Sequence, residues 1–238
     1  MTIKEFSEDR WPPGYKILPR ASVLSSDLIE AYRVVPTAHA SDCMGRSVGA
    51  IGLRSFHGDT SMCGPAITVR ARPGDNLMIH TALSLAEPGD VIVIDGAGDL
   101  TQSVFGGLMR TTAMVKKLGG LVVDGAIRDS AEFAEGGFPC YAKGAVHRGP
   151  SKEGPGEVNV PIACAGMVVF PGDLMLGDTD GVICIPAAEA TGLLPQVMAH
   201  AQKENAMKAA ILGGTTDPDR FNAILRKKGV PEALLRKK

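Results

Sequence analysis

Apolar and polar positions change rhythm several times along the chain, and each rhythm predicts an element. PAITVRAR (65–72) alternates apolar and polar residues and is followed by the turn PGD, so a strand is expected there. NLMIHTALSLAEPGD (76–90) has helical periodicity that stops at Pro88-Gly89. VIVID (91–95) and LVVDGA (121–126) are short continuous apolar runs, the pattern of strands buried on both faces. Between them, SVFGGLMRTTAMVKKLGG (103–120) sets Phe105, Leu108, Met109, Thr112 and Val115 at helical spacing. Lys116 and Lys117 suit the negative end of that helix, and Gly119-Gly120 suit its C-cap. Strand, helix and strand in this order predict a βαβ unit with a right-handed crossover.

The flanks read differently. Residues 1–20 form an arm in which WPPG (11–14) excludes regular structure. Ser25 and Ser26 offer an N-cap to DLIEAYRVV, and TAHASDCMGR (37–46) suits a further short helix. Downstream, GMVVF (166–170), DLMLG (173–177) and GVICIP (181–186) are short strands, with GDTDG as a hairpin turn between the last two. A long helix is expected over 187–212, broken by GGTTDPDRF. The basic clusters 226–228 and 236–238 read as a solvated terminus. One α/β domain over 1–238 follows, with a core at about 35–187, an N-terminal arm over 1–34, and a C-terminal helix and tail over 188–238.

A hydrophobic fraction of 45% with 21% charged residues fits a globular chain and excludes a disordered one. The net charge of −1 gives no overall basic field for nucleic acid or a membrane surface. No apolar run approaches the ~20 residues of a membrane helix, and the charged N-terminus lacks the apolar stretch of a signal peptide. The five cysteines (Cys43, Cys63, Cys140, Cys164, Cys184) are odd in number, without C-x-x-C spacing and set among apolar neighbours, so they read as buried reduced thiols. A cytoplasmic setting is expected.

Ligands of open α/β sheets gather at the carboxyl ends of the strands. Here those ends lead into GAGDLTQSVFGGLM and IRDS. Gly106 and Gly107 leave the amides of a helix N-terminus uncovered, which suits a carboxylate or phosphate. The same glycines also suit close packing of helix on sheet. GAGD is neither a G-x-G-x-x-G fingerprint nor a Walker loop. Arg128 and Asp129 stand across from that helix start. Arginine is a planar fork for carboxylates, and a lone aspartate suits magnesium, which keeps several waters and takes further oxygens from substrate.

VIDGAGDLTQSVFGGLM followed by GLVVDGAIRD, together with SDCMGR, EPGDVIVIDG and GDTDGVICIP, resembles the RraA-like family over about residues 35–210. That family contains class II 4-hydroxy-4-methyl-2-oxoglutarate/4-carboxy-4-hydroxy-2-oxoadipate aldolases and the RraA regulators of RNase E. The resemblance implies a swivelling β/β/α-type domain assembled as a homo-oligomer, a trimer or a hexamer. It implies that Arg128 contacts substrate, that Asp129 holds Mg²⁺ or Mn²⁺, and that the amides over Gly106, Gly107, Leu108 and Met109 hold a pyruvyl carboxylate. It further implies that Glu204 serves a neighbouring subunit's site. Helical geometry puts Glu204 within about 20° of Val197, near the edge of the apolar stripe, with Lys208 at i+4 as an alternative partner. The aldolases of the family carry an acid twenty residues before the Arg-Asp pair, and this chain has Gly107 there, with Asp99 nearby in sequence as a substitute.

The expected chemistry is metal-dependent cleavage of a C–C bond in a 2-oxo acid to give pyruvate enolate, by aldol cleavage, by oxaloacetate decarboxylation, or both. Aldol cleavage needs a base for the 4-hydroxyl and decarboxylation does not, so the glycine at 107 weighs more heavily on the former. The alternative is a non-catalytic regulator that binds RNase E or another protein.

Overall fold

The computed structural model describes residues 11–21, 23–215 and 219–235. The first ten residues of the expected arm and the basic triplet 236–238 lie outside them. In chain order the elements are β1 (Tyr15–Ile17), α1 (Ser26–Tyr32), α2 (Thr37–Cys43), β2 (Arg54–Ser55), β3 (Met62–Ala71) and α3 (Leu77–Leu85). The central βαβ unit follows as β4 (Val91–Phe105), α4 (Gly107–Val115) and β5 (Gly120–Ile127). Then come α5 (Ser130–Ala134), β6 (Cys140–Ala145), β7 (Gly156–Val158), β8 (Ile162–Cys164), β9 (Met167–Val169), β10 (Leu174–Asp178), β11 (Gly181–Ile185), α6 (Ala187–Leu212) and α7 (Arg220–Lys227).

The main sheet runs β1-β7-β3-β4-β5-β6-β2, and β3 also pairs with β10, which pairs with β11. Strands β3, β4, β5 and β6 are parallel. Along β4, Ile92 and Ile94 join a core with Ile79 and Leu83 of α3, Met109 and Ala113 of α4, and Phe133 of α5. Val91 and Val93 point the other way, into a second core with Met167, Val169, Met175 and Val182 from the short β-ribbons. Both faces of β4 and β5 are therefore dry, which is why VIVI and LVV carry no polar alternation. The result is three layers, of helices, central sheet and β-ribbons: the expected β/β/α arrangement. Each fully buried Ile or Val contributes roughly 1.5–3 kcal/mol.

The chain divides after Pro195 into two compact units. The first holds the sheet and both cores. The second holds the later part of α6 together with α7, where Arg226 bonds the carboxylates of Asp219 and Glu232.

Several local expectations hold. Ser25 caps α1 by accepting from Leu28 N at 3.3 Å. The hairpin β10–β11 closes on Thr179-Asp180, with Asp178 opposite Gly181. Cys63, Cys140, Cys164 and Cys184 are buried and Cys43 is partly so; burial pushes the Cys63 thiol up to about 11.

Other expectations need correction. The segment after WPPG is regular: Tyr15–Ile17 pairs with β7, because Gly14 at φ 81° turns the chain onto that edge. The helix of the βαβ unit begins only at Gly107, since Val104 and Phe105 still belong to β4. It buries Met109, Arg110 and Ala113, while Leu108 is 85% exposed and Val115 78%. Its C-terminal left-handed residue is Lys117 (φ 57°), with Leu118 N donating to Ala113 O at 3.0 Å. Gly119 is needed for packing instead, as a Cβ there would lie against the Gly89 carbonyl.

Candidate active site

The site is built where β4 and β5 end. From Asp95 to Phe105 the β4 strand bulges repeatedly against β5, then returns to register with Phe105 opposite Ile127. The pairing continues as Arg128 N donates to Phe105 O at 2.9 Å. The first residues of α4 thus stand beside the Arg-Asp pair, as their sequence positions imply.

Asp129 is left-handed, φ 55° and ψ 39°, a conformation Asp accepts more readily than most residues. That twist turns its side chain back onto α4, where Oδ2 accepts from Gly107 N at 2.8 Å. The Arg128 Nε lies 3.5 Å from the same oxygen, with the two side chains 42% and 40% exposed. At such exposure the pair adds little to stability. Its value lies in keeping a guanidinium and a carboxylate side by side at an open cleft. Gly106 explains how they come so close: a Cβ on it would stand 2.7 Å from Asp129 Oδ2 and 3.0 Å from Arg128 Cγ. Close approach, one of the two readings open for these glycines, is thus required at 106.

Of the four amides expected to meet an anion, two are occupied within the chain. Gly107 N is taken by Asp129, and Met109 N donates to Gly106 O at 3.1 Å. Those of Gly106 and Leu108 have no partner among the described residues. Both residues line a cleft of about 140 Å³ with Arg128, Asn76, His80 and Lys152.

The wall opposite Arg128 comes from residues that periodicity did not single out. Asp75, 2% exposed, accepts from Leu77 N at 2.9 Å, Ser151 Oγ at 2.6 Å and Glu153 N at 2.7 Å. It pins the 151–153 loop to the start of α3 and so sets Lys152 over the cleft. Burial raises the Asp75 pKa, but these hydrogen bonds outweigh it and hold the carboxyl below its usual range. Asn76 is 4% exposed, its Nδ2 faces Met109 Sδ at 3.5 Å, and its Oδ1 has no partner among the described residues. An unpartnered buried amide oxygen in a cleft wall is costly unless a ligand or water meets it. His80 is held below its ordinary pKa by burial and then by Lys152, which leaves Arg128 and Lys152 as the cleft's cations. The signal that would have found this wall is the D-N pair directly before a helix.

The remaining residues fall as follows. Glu204 lies in the second unit, where its carboxylate is 3.3 Å from Lys208 Nζ. Asp99 spends its Oδ1 on Thr101, at 3.1 Å to the amide and 2.8 Å to the hydroxyl. Among the described residues no three His, Cys, Asp or Glu side chains converge as a metal cage. A single carboxylate such as Asp129 is too few donors for structural zinc, and it is a donor that magnesium or manganese accepts because those ions keep several waters.

Fold and site together define a class: three-layer α/β domains whose cleft and charged groups sit at the ends of adjacent parallel strands. The sequence profile of the RraA-like family, described as Aldolase/RraA, matches residues 37–184, and the chain belongs to that family. It is 37% identical over 186 residues to a Halalkalibacterium halodurans protein named provisionally as a 4-hydroxy-4-methyl-2-oxoglutarate aldolase, covering 78% of this chain and 89% of that one. It is 35% identical to a Thermus thermophilus protein named 4-hydroxy-4-methyl-2-oxoglutarate aldolase, over 56% of this chain and 81% of that one. The crystal structure of Streptomyces coelicolor RraAS2, titled an unusual member of the RNase ES inhibitor RraA protein family, superposes with a TM-score of 0.73 at 26% identity. It covers 79% of this chain and 98% of that one. No helix among the described residues is long and apolar enough to cross a membrane.

Proposed function

We propose that the protein is a divalent-metal-dependent lyase that cleaves a C–C bond of a 2-oxo acid to release pyruvate, acting on 4-hydroxy-4-methyl-2-oxoglutarate or a close analogue and on oxaloacetate. The observation that carries this reading is that Arg128 lines one cleft with Gly106 and Leu108, whose amides are free, while Asp129 stands beside it, bonded to Gly107 N and 3.5 Å from Arg128 Nε. The aldolase names of the relatives support it.

Asp129 would hold Mg²⁺ or Mn²⁺, its carboxylate being positioned by the bond from Gly107 N to Oδ2. The bound cation supplies Lewis-acid polarisation of the keto oxygen. The chain's own groups do the rest. The Gly106 and Leu108 amides receive the substrate carboxylate at the positive end of α4. Arg128 places its guanidinium where negative charge gathers on the keto oxygen as the bond breaks. In aldol cleavage the 4-hydroxyl proton passes to a water as the C4 oxygen becomes a carbonyl, the C3–C4 bond breaks, its electron pair passes to the enolate, and the fragment with the new carbonyl leaves as the second product. A proton returned to C3 completes pyruvate. In oxaloacetate decarboxylation carbon dioxide leaves and the same enolate forms. Lys152 and Asn76 suit the distal polar groups of such substrates. Glu204, contributed by a neighbouring copy in a homo-oligomer, is proposed as a further carboxylate of the site.

Coupled pyruvate-release assays on both substrates, with Mg²⁺ and with EDTA, test the reading. Activity that needs metal and disappears in Asp129→Ala supports it. Metal-indifferent protein that releases no pyruvate from either substrate and inhibits RNase E overturns it in favour of the regulator.

A further inference from the structure

The glycine at 107 leaves no gap. A Cβ built on it would stand 2.6 Å from both Cδ and Oε1 of Glu132, so a carboxylate already occupies the space that a side chain at 107 would enter. Glu132 reaches it from α5, one turn beyond Asp129, with Glu132 N donating to Asp129 O at 3.0 Å. The helix is anchored by its neighbour Phe133, which is fully buried against Phe105 at 6.4 Å between ring centroids and lies 5.8 Å from the Arg110 guanidinium. Arg110 in turn donates to Gly136 O at 2.6 Å, tying the end of α5 to α4.

The spacing D-S-A-E reads as a capping box, in which both acids would serve their own helix. They do not. Asp129 makes no cap bond to α5, and its carboxylate bonds the first residue of α4. The Glu132 carboxylate lies against that same residue, and no hydrogen bond or ion pair holds it among the described residues. Two carboxylates three residues apart repel each other, so turning both onto one point needs positive charge there. The start of α4 supplies part of it. The adjoining cleft, lined by Gly106, Leu108 and Arg128, also holds the unpartnered Oδ1 of buried Asn76, which points to a ligand beside the start of α4.

We infer that Glu132 is the second carboxylate of the cation site, holding the divalent ion or its water from the position that an acid at 107 would otherwise serve. The inference rests on the metal-dependent reading above. It assigns Asp99 no part, and a side chain added at 107 would move the Glu132 carboxylate from this place.

The test is Mn²⁺ binding by the full chain, followed by electron paramagnetic resonance titration, for the wild type, Asp129→Ala, Glu132→Gln and the double variant Gly107→Asp/Glu132→Ala, in which the space beside 107 is cleared. Glu132→Gln is expected to weaken binding about tenfold at an unchanged melting temperature, the size typical of losing a supporting group at a metal site. The double variant, which returns a carboxylate from the other side, is expected to recover to within about threefold of wild type. Wild-type affinity in Glu132→Gln, with Asp129→Ala binding no Mn²⁺, overturns the role of Glu132 and leaves the metal reading standing. A folded double variant no better than Glu132→Gln also overturns it. Wild type that binds no Mn²⁺ removes both.

Discussion

Replacing Gly106 with alanine separates site from scaffold. The backbone at 106 is extended, φ −145° and ψ −172°, so alanine adopts it without strain. The loss of freedom in the unfolded chain even favours the variant by about 0.4–1 kcal/mol. The added methyl, however, would stand 2.7 Å from Asp129 Oδ2, and 3.0 Å from Arg128 Cγ and Nε. Ordinary contact begins near 3.4 Å, so the carboxylate must retreat by about 0.7 Å, enough to break its bond to Gly107 N. The steric cost and the entropic gain oppose each other, and the melting temperature should change by no more than a few degrees. Activity should not be spared. A misplacement approaching 1 Å costs about 100-fold in rate, or about 2.7 kcal/mol of transition-state stabilisation. Steady-state pyruvate release against Mg²⁺ concentration, beside a thermal melt of the same preparation, gives both numbers. A folded Gly106→Ala with wild-type kcat/KM and wild-type Mg²⁺ dependence would refute the placement of the chemistry on Asp129.

Further predictions follow from individual contacts. Asp129→Asn keeps a residue tolerant of the left-handed conformation but removes the charge, so pyruvate release should fall by at least about 100-fold while the melting temperature stays within a few degrees. Asp75→Ala strands two amides and a hydroxyl near the cleft and should cost about 2–3 kcal/mol in urea unfolding, with a raised KM as the 151–153 loop loosens. Because the folded-state Asp75 pKa is depressed, its stabilisation is complete above the unfolded carboxylate pKa and disappears as pH falls through the folded value. Wild type should therefore lose stability more steeply than Asp75→Ala below about pH 4. Ile94→Ala, at a fully buried position between β3 and β5, should cost about 2–5 kcal/mol by chemical denaturation with no change in KM if the variant folds.

Much of the fold was legible because long-range packing agrees with local rhythm. The continuous apolar runs at 91–95 and 121–126 are continuous because the sheet is covered on both sides, and the βαβ unit follows from their spacing. The convergence of Arg128 and Asp129 on the start of α4 follows from that unit too. What local rhythm hides is the bulged half of β4. GAGDLTQ reads as a loop, yet it pairs through Asp99 and Ser103 before the strand resumes at Phe105. Short edge strands such as Tyr15–Ile17 carry no pattern of their own and form only because an edge awaits them. Glu132 escaped notice for a different reason. Its spacing from Asp129 is that of a self-capping helix, and only the left-handed turn at Asp129 sends both acids to another helix.

One hydrogen bond, from Arg128 N to Phe105 O, has a wider consequence. It closes a loop of chain over 105–128 that holds the exposed amides and ends at the guanidinium, with both acids within the next four residues, leaving the Asn76–Lys152 wall to come from elsewhere. On the proposed function, reactivity and selectivity would be inherited on separate stretches of sequence. Exchanging the first between related chains should transplant the bond-breaking step, and exchanging the second should change which acids are accepted.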